Sequence, residues 1–307
     1  MSVLIVTSTQ AGDGKSTVAA GLAIHLLDSG RATHVMRVQG SDAASAERDA
    51  AFLAAVPGVR SPGRALPLSE AGAAVREAND GVAIVEAESG EALEAVSAWD
   101  AGMVVVQRAG MIKEAAALGA AAAKVMGAVT GVAAPDLSAV HASLEAKGLR
   151  PLLVLPEDRT LAAPRLSEVA RALEASFLCD GADEDEVIER IMIGSVGHDS
   201  GGPYFSMHDR KAVITRSEKT DVQLAALSTP LVCLLLTGEG RPSPYLFDRA
   251  QGAGVPVLLT ARDTVSAMEA LGDVFAEARF GGKQKLERLR GLLAEYLDVA
   301  ALETMLS

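Results

Sequence analysis

The chain has 307 residues, a net charge of −12 and an isoelectric point near 4.9. That balance argues against nonspecific binding to nucleic acid or to an anionic membrane surface, and the length provides for two domains. Hydrophobic residues make up 49% and aromatics only 3%, so the core is expected to be large and built from small and branched side chains that suit close helix–sheet packing. No apolar run approaches about 18 residues, so no membrane span is expected. No basic region precedes an apolar stretch at the N-terminus, so no signal peptide is expected either, and the protein reads as cytoplasmic. Cys179 and Cys233 sit in apolar surroundings with no motif around them. They read as buried thiols in a reducing compartment.

Val3 to Val6 is a short β-branched run that reads as a buried strand, and Val18 to Leu27 is apolar at helical spacing. Between them lies Thr7-Ser8-Thr9-Gln10-Ala11-Gly12-Asp13-Gly14-Lys15-Ser16-Thr17. Strand, glycine loop and helix form the context of a phosphate-binding loop. Gly12 and Gly14 let backbone N–H groups turn toward an anion, Lys15 reaches terminal phosphates, and the Ser16 hydroxyl suits magnesium. Thr9, Gly12, Asp13, Gly14, Lys15, Ser16 and Thr17 are therefore the expected nucleotide contacts. Thr9 stands where the common G-x-x-x-x-G-K-[ST] pattern has its first glycine. A plain strand-to-helix turn, and a loop that keeps its shape without binding nucleotide, both stay open on the residues alone.

The chain then alternates. A helix to Ser29-Gly30 is followed by a strand at 34–38, a helix at 42–55, and a Pro/Gly loop at 56–64. Ser69 is expected to cap a helix running to Asn79. Gly81 to Glu86 reads as a buried strand ending in a carboxylate. Ligands of open parallel sheets bind at the carboxyl ends of strands, which makes Glu86 a metal candidate. An acidic cap for the next helix, which Glu88 and Ser89 supply equally well, is the rival reading. Strands at 103–106, 125–132 and 151–156 alternate with helices from Ile112 to Leu118, at 137–148 and at 165–173. The pattern predicts a parallel sheet covered by helices on both faces. His25, His34 and His141 lack paired ligands and read as ordinary helix or strand residues.

The stretch from Val6 to Ala23 resembles the deviant P-loops of the dethiobiotin synthetase, ParA/MinD and bacterial tyrosine kinase group. Ile84-Val85-Glu86-Ala87-Glu88-Ser89-Gly90, Arg37-Val38-Gln39-Gly40 and Arg48-Asp49-Ala50 point to dethiobiotin synthetase within it. The resemblance covers roughly residues 1 to 178. It implies ATP and Mg2+ as cofactors, with Ser16, Asp49 and Glu86 holding the metal and Lys15 the phosphates. The family's substrate lysine is Arg37 here, its second strand-end glycine is Ala87, and its adenine-reading asparagine falls at Gly131.

Asp180 to Glu186 is an acidic stretch that reads as a linker or an exposed helix start. Beyond it, strands at 211–215, 231–237 and 255–260 alternate with helices at 221–227, 243–252 and 263–271. These form a second, smaller α/β domain. This half resembles the DRTGG domain that follows a dethiobiotin-synthetase-like domain at the N-terminus of long phosphate acetyltransferases. Lys211-Ala212-Val213-Ile214-Thr215, Asp221 to Leu227, Leu234 to Gly238 and Gly254 to Thr260 carry that resemblance. The name-giving segment is altered to Thr215-Arg216-Ser217-Glu218-Lys219-Thr220-Asp221, without its two glycines. Thr215, Asp221 and Gln223 read either as ligand contacts or as caps of the following helix. Thr237, Gly238, Thr260 and Asp263 gather at strand ends. His198 and His208 read as surface loop residues, and 283–297 as an amphipathic helix for packing or a partner.

The expected fold is therefore a P-loop NTPase-like parallel sheet at 1–180 followed by a smaller α/β DRTGG domain at 187–300. The expected function is an ATP/Mg-binding regulatory or sensor protein resembling the non-catalytic N-terminal portion of phosphate acetyltransferase, a homo-oligomer, with a separate metabolic enzyme as a further candidate partner. Alternatives are an ATP-dependent carboxylate–amine ligase of dethiobiotin synthetase type and a structural P-loop dimer module without turnover. Acetyltransferase activity, which needs a third, larger segment, is not expected of these 307 residues on their own.

Overall fold

A computed structural model of the chain describes residues 2–78, 80–110, 124–179, 182–194 and 201–307. The expected helix from Ile112 to Leu118, Asn79, the Asp180-Gly181 start of the acidic stretch and His198 lie outside the described residues. The chain forms two compact units. The first comprises Met1–Asp158 with Leu286–Ser307, the second Arg159–Lys285.

The first unit is a seven-stranded sheet in the order β3-β2-β4-β1-β5-β6-β7. Its strands are β1 (Ser2–Ser8), β2 (Thr33–Val38), β3 (Ala65–Leu66), β4 (Val82–Glu86), β5 (Gly102–Arg108), β6 (Val125–Val132) and β7 (Arg150–Pro156). Every pairing within it is parallel. The central strands read as unbroken apolar runs because both of their faces are covered. One face carries a core that includes Ile5, Ala83, Val85, Met103, Val105 and Val129.

Helix α1 (Lys15–Asp28) follows β1 and is buried at Val18 through Ile24 and at Leu26. Such an all-round apolar helix belongs inside a layer. Its Gly21 comes so close to the helix Lys283–Tyr296 that a Cβ there would meet Leu293 Cδ1 at 3.1 Å and Leu289 Cδ2 at 3.3 Å. Leu289, Leu292 and Leu293 are buried. A last helix, Val299–Leu306, is capped by Asp298 and buries Ala301, Leu302 and Met305. The division thus differs from 1–180 and 187–300: the C-terminal helices complete the first unit.

Two smaller expectations also change. The helix predicted to begin at a Ser69 cap runs Leu68–Glu77 with Pro67 at its N-cap and no side-chain cap. The helix expected after Glu86, with Glu88 or Ser89 as an acidic or hydroxyl cap, runs Ser89–Trp99 with Glu88 at its N-cap and no side-chain cap.

The second unit holds a five-stranded sheet, order β8-β12-β11-β10-β9. Its strands are β8 (Ser176–Phe177), β9 (Arg190–Ile193), β10 (Lys211–Arg216), β11 (Cys233–Thr237) and β12 (Val257–Thr260). β9, β10, β11 and β12 are parallel, and β8 is antiparallel to β12. Cys233 is buried, and burial pushes its thiol far above the usual range; Cys179 is only half-buried. Among the described residues no helix is long and apolar enough to cross a membrane.

Candidate functional site

The carboxyl ends of β1, β4 and β2 bring the expected residues together. α1 begins at Lys15, directly after Gly14, which serves as N-cap at φ +95°. Gly12 has φ +83°. Both conformations are left-handed and suit glycine. A Cβ on Gly14 would also press on Thr130 Cγ2 at 3.0 Å.

The loop is fastened from within. Asp13 is buried, and its Oδ2 accepts the Gln10 N–H at 3.1 Å. Burial raises its pKa, against the Gln10 N–H, the Arg108 backbone and the charges of Lys15 and Arg108. Thr130, at the end of β6, donates to the Asp13 carbonyl at 2.9 Å. Lys15 Nζ donates to Ser8 Oγ at 3.0 Å, and Ser8 Oγ donates to the Gln10 carbonyl at 2.7 Å. Thr9 has a buried Oγ1 without a hydrogen-bond partner, and Thr17 lies half-buried in the first turn of α1. The N–H groups of that first turn add partial positive charge at the same place.

Next to the loop is a carboxylate cluster. Ser16 Oγ donates to Glu86 Oε1 at 3.1 Å. Glu86 is completely buried, and its pKa is pushed up to about 7 by burial, with Asp49 adding to the rise and Arg37, Lys15 and Ser16 opposing it. Arg37 stands opposite Glu86 in the register of β2 and β4. Its Nε lies 3.6 Å from Asp49 Oδ2 and 3.6 Å from Glu86 Oε1, and its Nη2 lies 4.0 Å from Glu88 Oε1. The Arg37 side chain is only 4% exposed. Its Nη1 donates to the Val38 carbonyl. Arg37 Nε and Glu86 Oε2 are buried without a hydrogen-bond partner. Glu88 also accepts the Ser41 N–H at 3.2 Å.

Ser16, Asp49 and Glu86, the residues expected to hold magnesium, are therefore neighbours. A hydroxyl with two carboxylates is a hard-oxygen set of the kind magnesium takes. As the side chains stand, however, the cation among them is the guanidinium of Arg37, so the arrangement does not fit a divalent ion. Among the described residues no group of three His, Cys, Asp or Glu side chains is placed to hold a metal. Arg37 was legible as a substitution but not as buried. Thr130 was missed, although it lies at a strand end beside the loop. Gly131, expected where adenine would be read, has φ +67° and the exposed Arg108 beside it.

In the second unit the strand-end candidates are engaged within the fold. Thr215 Oγ1 donates to the Gly194 carbonyl at 2.8 Å and Thr260 Oγ1 to the Leu173 carbonyl at 2.6 Å. Thr237 Oγ1 and Thr264 Oγ1 are 2.8 Å apart. Asp263 caps the helix Thr264–Ala276 through the Val265 and Ser266 N–H groups. Gln223 Nε2 holds the Arg216 and Ser217 carbonyls at 2.9 and 3.0 Å. A cavity of about 300 Å³ lies instead toward the amino ends of β10, β11 and β12, lined in part by Glu186, Arg210, Pro230 and Val255.

These features define the class: a parallel P-loop NTPase-like sheet followed by a smaller α/β unit. Residues 168–274 match the family model of the DRTGG domain, so the chain carries a DRTGG domain there. Phosphate acetyltransferase of Acinetobacter baylyi is 26% identical over 163 residues, covering 50% of this chain and 22% of that protein. Phosphate acetyltransferase of Pseudomonas putida is 27% identical over 165 residues, covering 51% and 24%. The match thus spans about a quarter of these relatives' length. Among solved structures, cell division protein FtsY of Thermotoga maritima aligns with a TM-score of 0.42 and 15% identity, over 51% of this chain and 62% of that one. The CBS and DRTGG domains of the regulatory region of Clostridium perfringens pyrophosphatase align with a TM-score of 0.32 and 16% identity, over 48% and 73%.

Proposed function

We propose that the chain is a nucleotide-binding regulatory module, taking ATP on the loop from Thr9 to Thr17 and acting on a separate metabolic enzyme. The observation that carries this reading is the preformed loop. Gly12 and Gly14 are left-handed, Asp13 and Thr130 fasten the backbone, and Lys15 and Ser16 open α1. Such a loop presents backbone N–H groups and a helix N-terminus to an anion at no further cost of ordering.

A regulatory role is favoured over the ligase by Arg37. The resemblance puts a substrate lysine at that position. A substrate-binding cation needs to reach a ligand, whereas Arg37 is buried among Asp49, Glu86 and Glu88. Calorimetry with ATP on the wild type and on Lys15→Ala, paired with phosphate-release assays in the presence of carboxylic acids, tests the reading. The expected result is binding that is lost in Lys15→Ala, with no carboxylate-dependent phosphate release. Such release would establish the ligase instead, and no binding by the wild type at millimolar ATP would leave the structural module.

A further inference from the structure

We propose that Arg37 is the resident cation of the phosphate-loop site, holding Asp49 and Glu86 where a divalent metal would otherwise sit, so that the site takes nucleotide phosphate in its metal-free form. The nucleotide part of this statement rests on the function proposed above; the cation part rests on Arg37 alone.

Arg37 and Glu86 are direct neighbours on β2 and β4, so their side chains leave the sheet on the same face. Asp49, in the helix Ala43–Ala54, completes the enclosure. One guanidinium nitrogen is equally distant, at 3.6 Å, from an oxygen of each carboxylate. A fully buried carboxylate needs a cation or a proton. Here the cation is covalently part of the protein and almost wholly shielded from solvent.

A magnesium ion bound at about 2.1 Å from these oxygens would bring a second cation against the guanidinium. Both would lie in a poorly screened interior, where like charges repel strongly. Magnesium also demands a near-ideal octahedral shell, and Arg37 stands in the way of its water ligands. The pair is nevertheless imperfectly satisfied, since Arg37 Nε and Glu86 Oε2 have no hydrogen-bond partner. Removing the guanidinium therefore uncovers an oxygen set with unfilled acceptor capacity, which is what a metal requires.

The test uses the nucleotide-free 307-residue chain and manganese(II) as the probe, followed by electron paramagnetic resonance. Wild type is expected to bind no manganese that depends on Asp49. Arg37→Met is expected to gain a site, and Arg37→Met combined with Asp49→Asn to lose it again. Arg37→Gln provides a second neutral variant should Arg37→Met fail to fold, and Arg37→Lys keeps the charge and is expected to gain no site. ATP titrations add a second reading: wild-type affinities in magnesium and in EDTA agree within about threefold, whereas Arg37→Met becomes magnesium-dependent by about tenfold or more. The proposal is overturned if wild type already binds manganese in a manner abolished by Asp49→Asn, or if folded neutral variants gain no site. Failure of ATP to bind in either buffer would remove the nucleotide reading while the manganese result still decides the role of Arg37.

Discussion

Ser16 and Glu86 are 70 residues apart in sequence, and the Ser16 hydroxyl donates to Glu86 Oε1 at 3.1 Å. The bond ties the first turn of α1 to the end of β4, so the phosphate loop and the carboxylate cluster form one electrostatic unit. Disturbing either half is expected to be felt in the other.

Glu86 makes stability pH-dependent. Its pKa is about 7 in the folded protein against 4.5 as the ordinary value. A raised carboxyl pKa means that the folded state holds the proton more tightly. The associated stability is complete below pH 4.5 and is lost as pH rises through 7. The loss amounts to about 3 kcal/mol at full ionisation. Glu86→Gln is expected to flatten this slope in thermal melts taken between pH 5 and 8.

Lys285 has the opposite sign. It is buried, donates to the Arg279 carbonyl at 2.5 Å, and burial lowers its pKa to about 8, opposed in part by Glu168. Below pH 8 its charge weakens the fold. As pH rises from 8 toward the ordinary value of 10.5, the folded state gives up the proton first and gains stability. Lys285→Met is expected to remove this gain, read as melting temperature against pH over that window.

The two loop glycines differ in what a side chain would meet. Either alanine substitution places an L residue in the left-handed region, at about 1–2 kcal/mol. Gly14→Ala also pushes a Cβ onto Thr130, whereas Gly12 has nothing within 4 Å of that position. Urea unfolding is expected to show Gly14→Ala as the more destabilised of the two, and equal losses would contradict the loop geometry described.

Leu289 tests the placement of the C-terminal helices. It is completely buried and packs over Gly21 of α1. Leu289→Ala is expected to cost about 2–5 kcal/mol, seen as a fall in the urea midpoint. A loss within about 0.5 kcal/mol, the range of ordinary surface substitutions, would detach this helix from the phosphate-loop unit.

The alternation of buried strands and helices was legible because runs such as Val104-Val105-Val106 and Leu234-Leu235-Leu236 belong to strands covered on both faces. The loop was legible because Gly12, Gly14, Lys15 and Ser16 act through local geometry. The helix Lys283–Tyr296 showed its amphipathic pattern, but nothing in that pattern said which surface it would cover. Gly21 was the one trace of it, a small residue where two helices approach closely. The state of Arg37 was hidden for a similar reason. A sequence records an arginine, whereas its burial depends on the β2–β4 register and on Asp49 arriving from a separate helix. The strand-end threonines of the second unit were visible as polar groups at ligand positions. Their carbonyl partners, such as Leu173 for Thr260, come from segments that no local pattern connects to them.

Titration calorimetry of ATP into wild type and Lys15→Ala measures most directly whether the loop holds a nucleotide. Wild type is expected to give a saturable heat that disappears in Lys15→Ala while the variant's melting temperature stays near that of the wild type. Equal binding by both proteins, or no heat from a folded wild type at millimolar ATP, would contradict it.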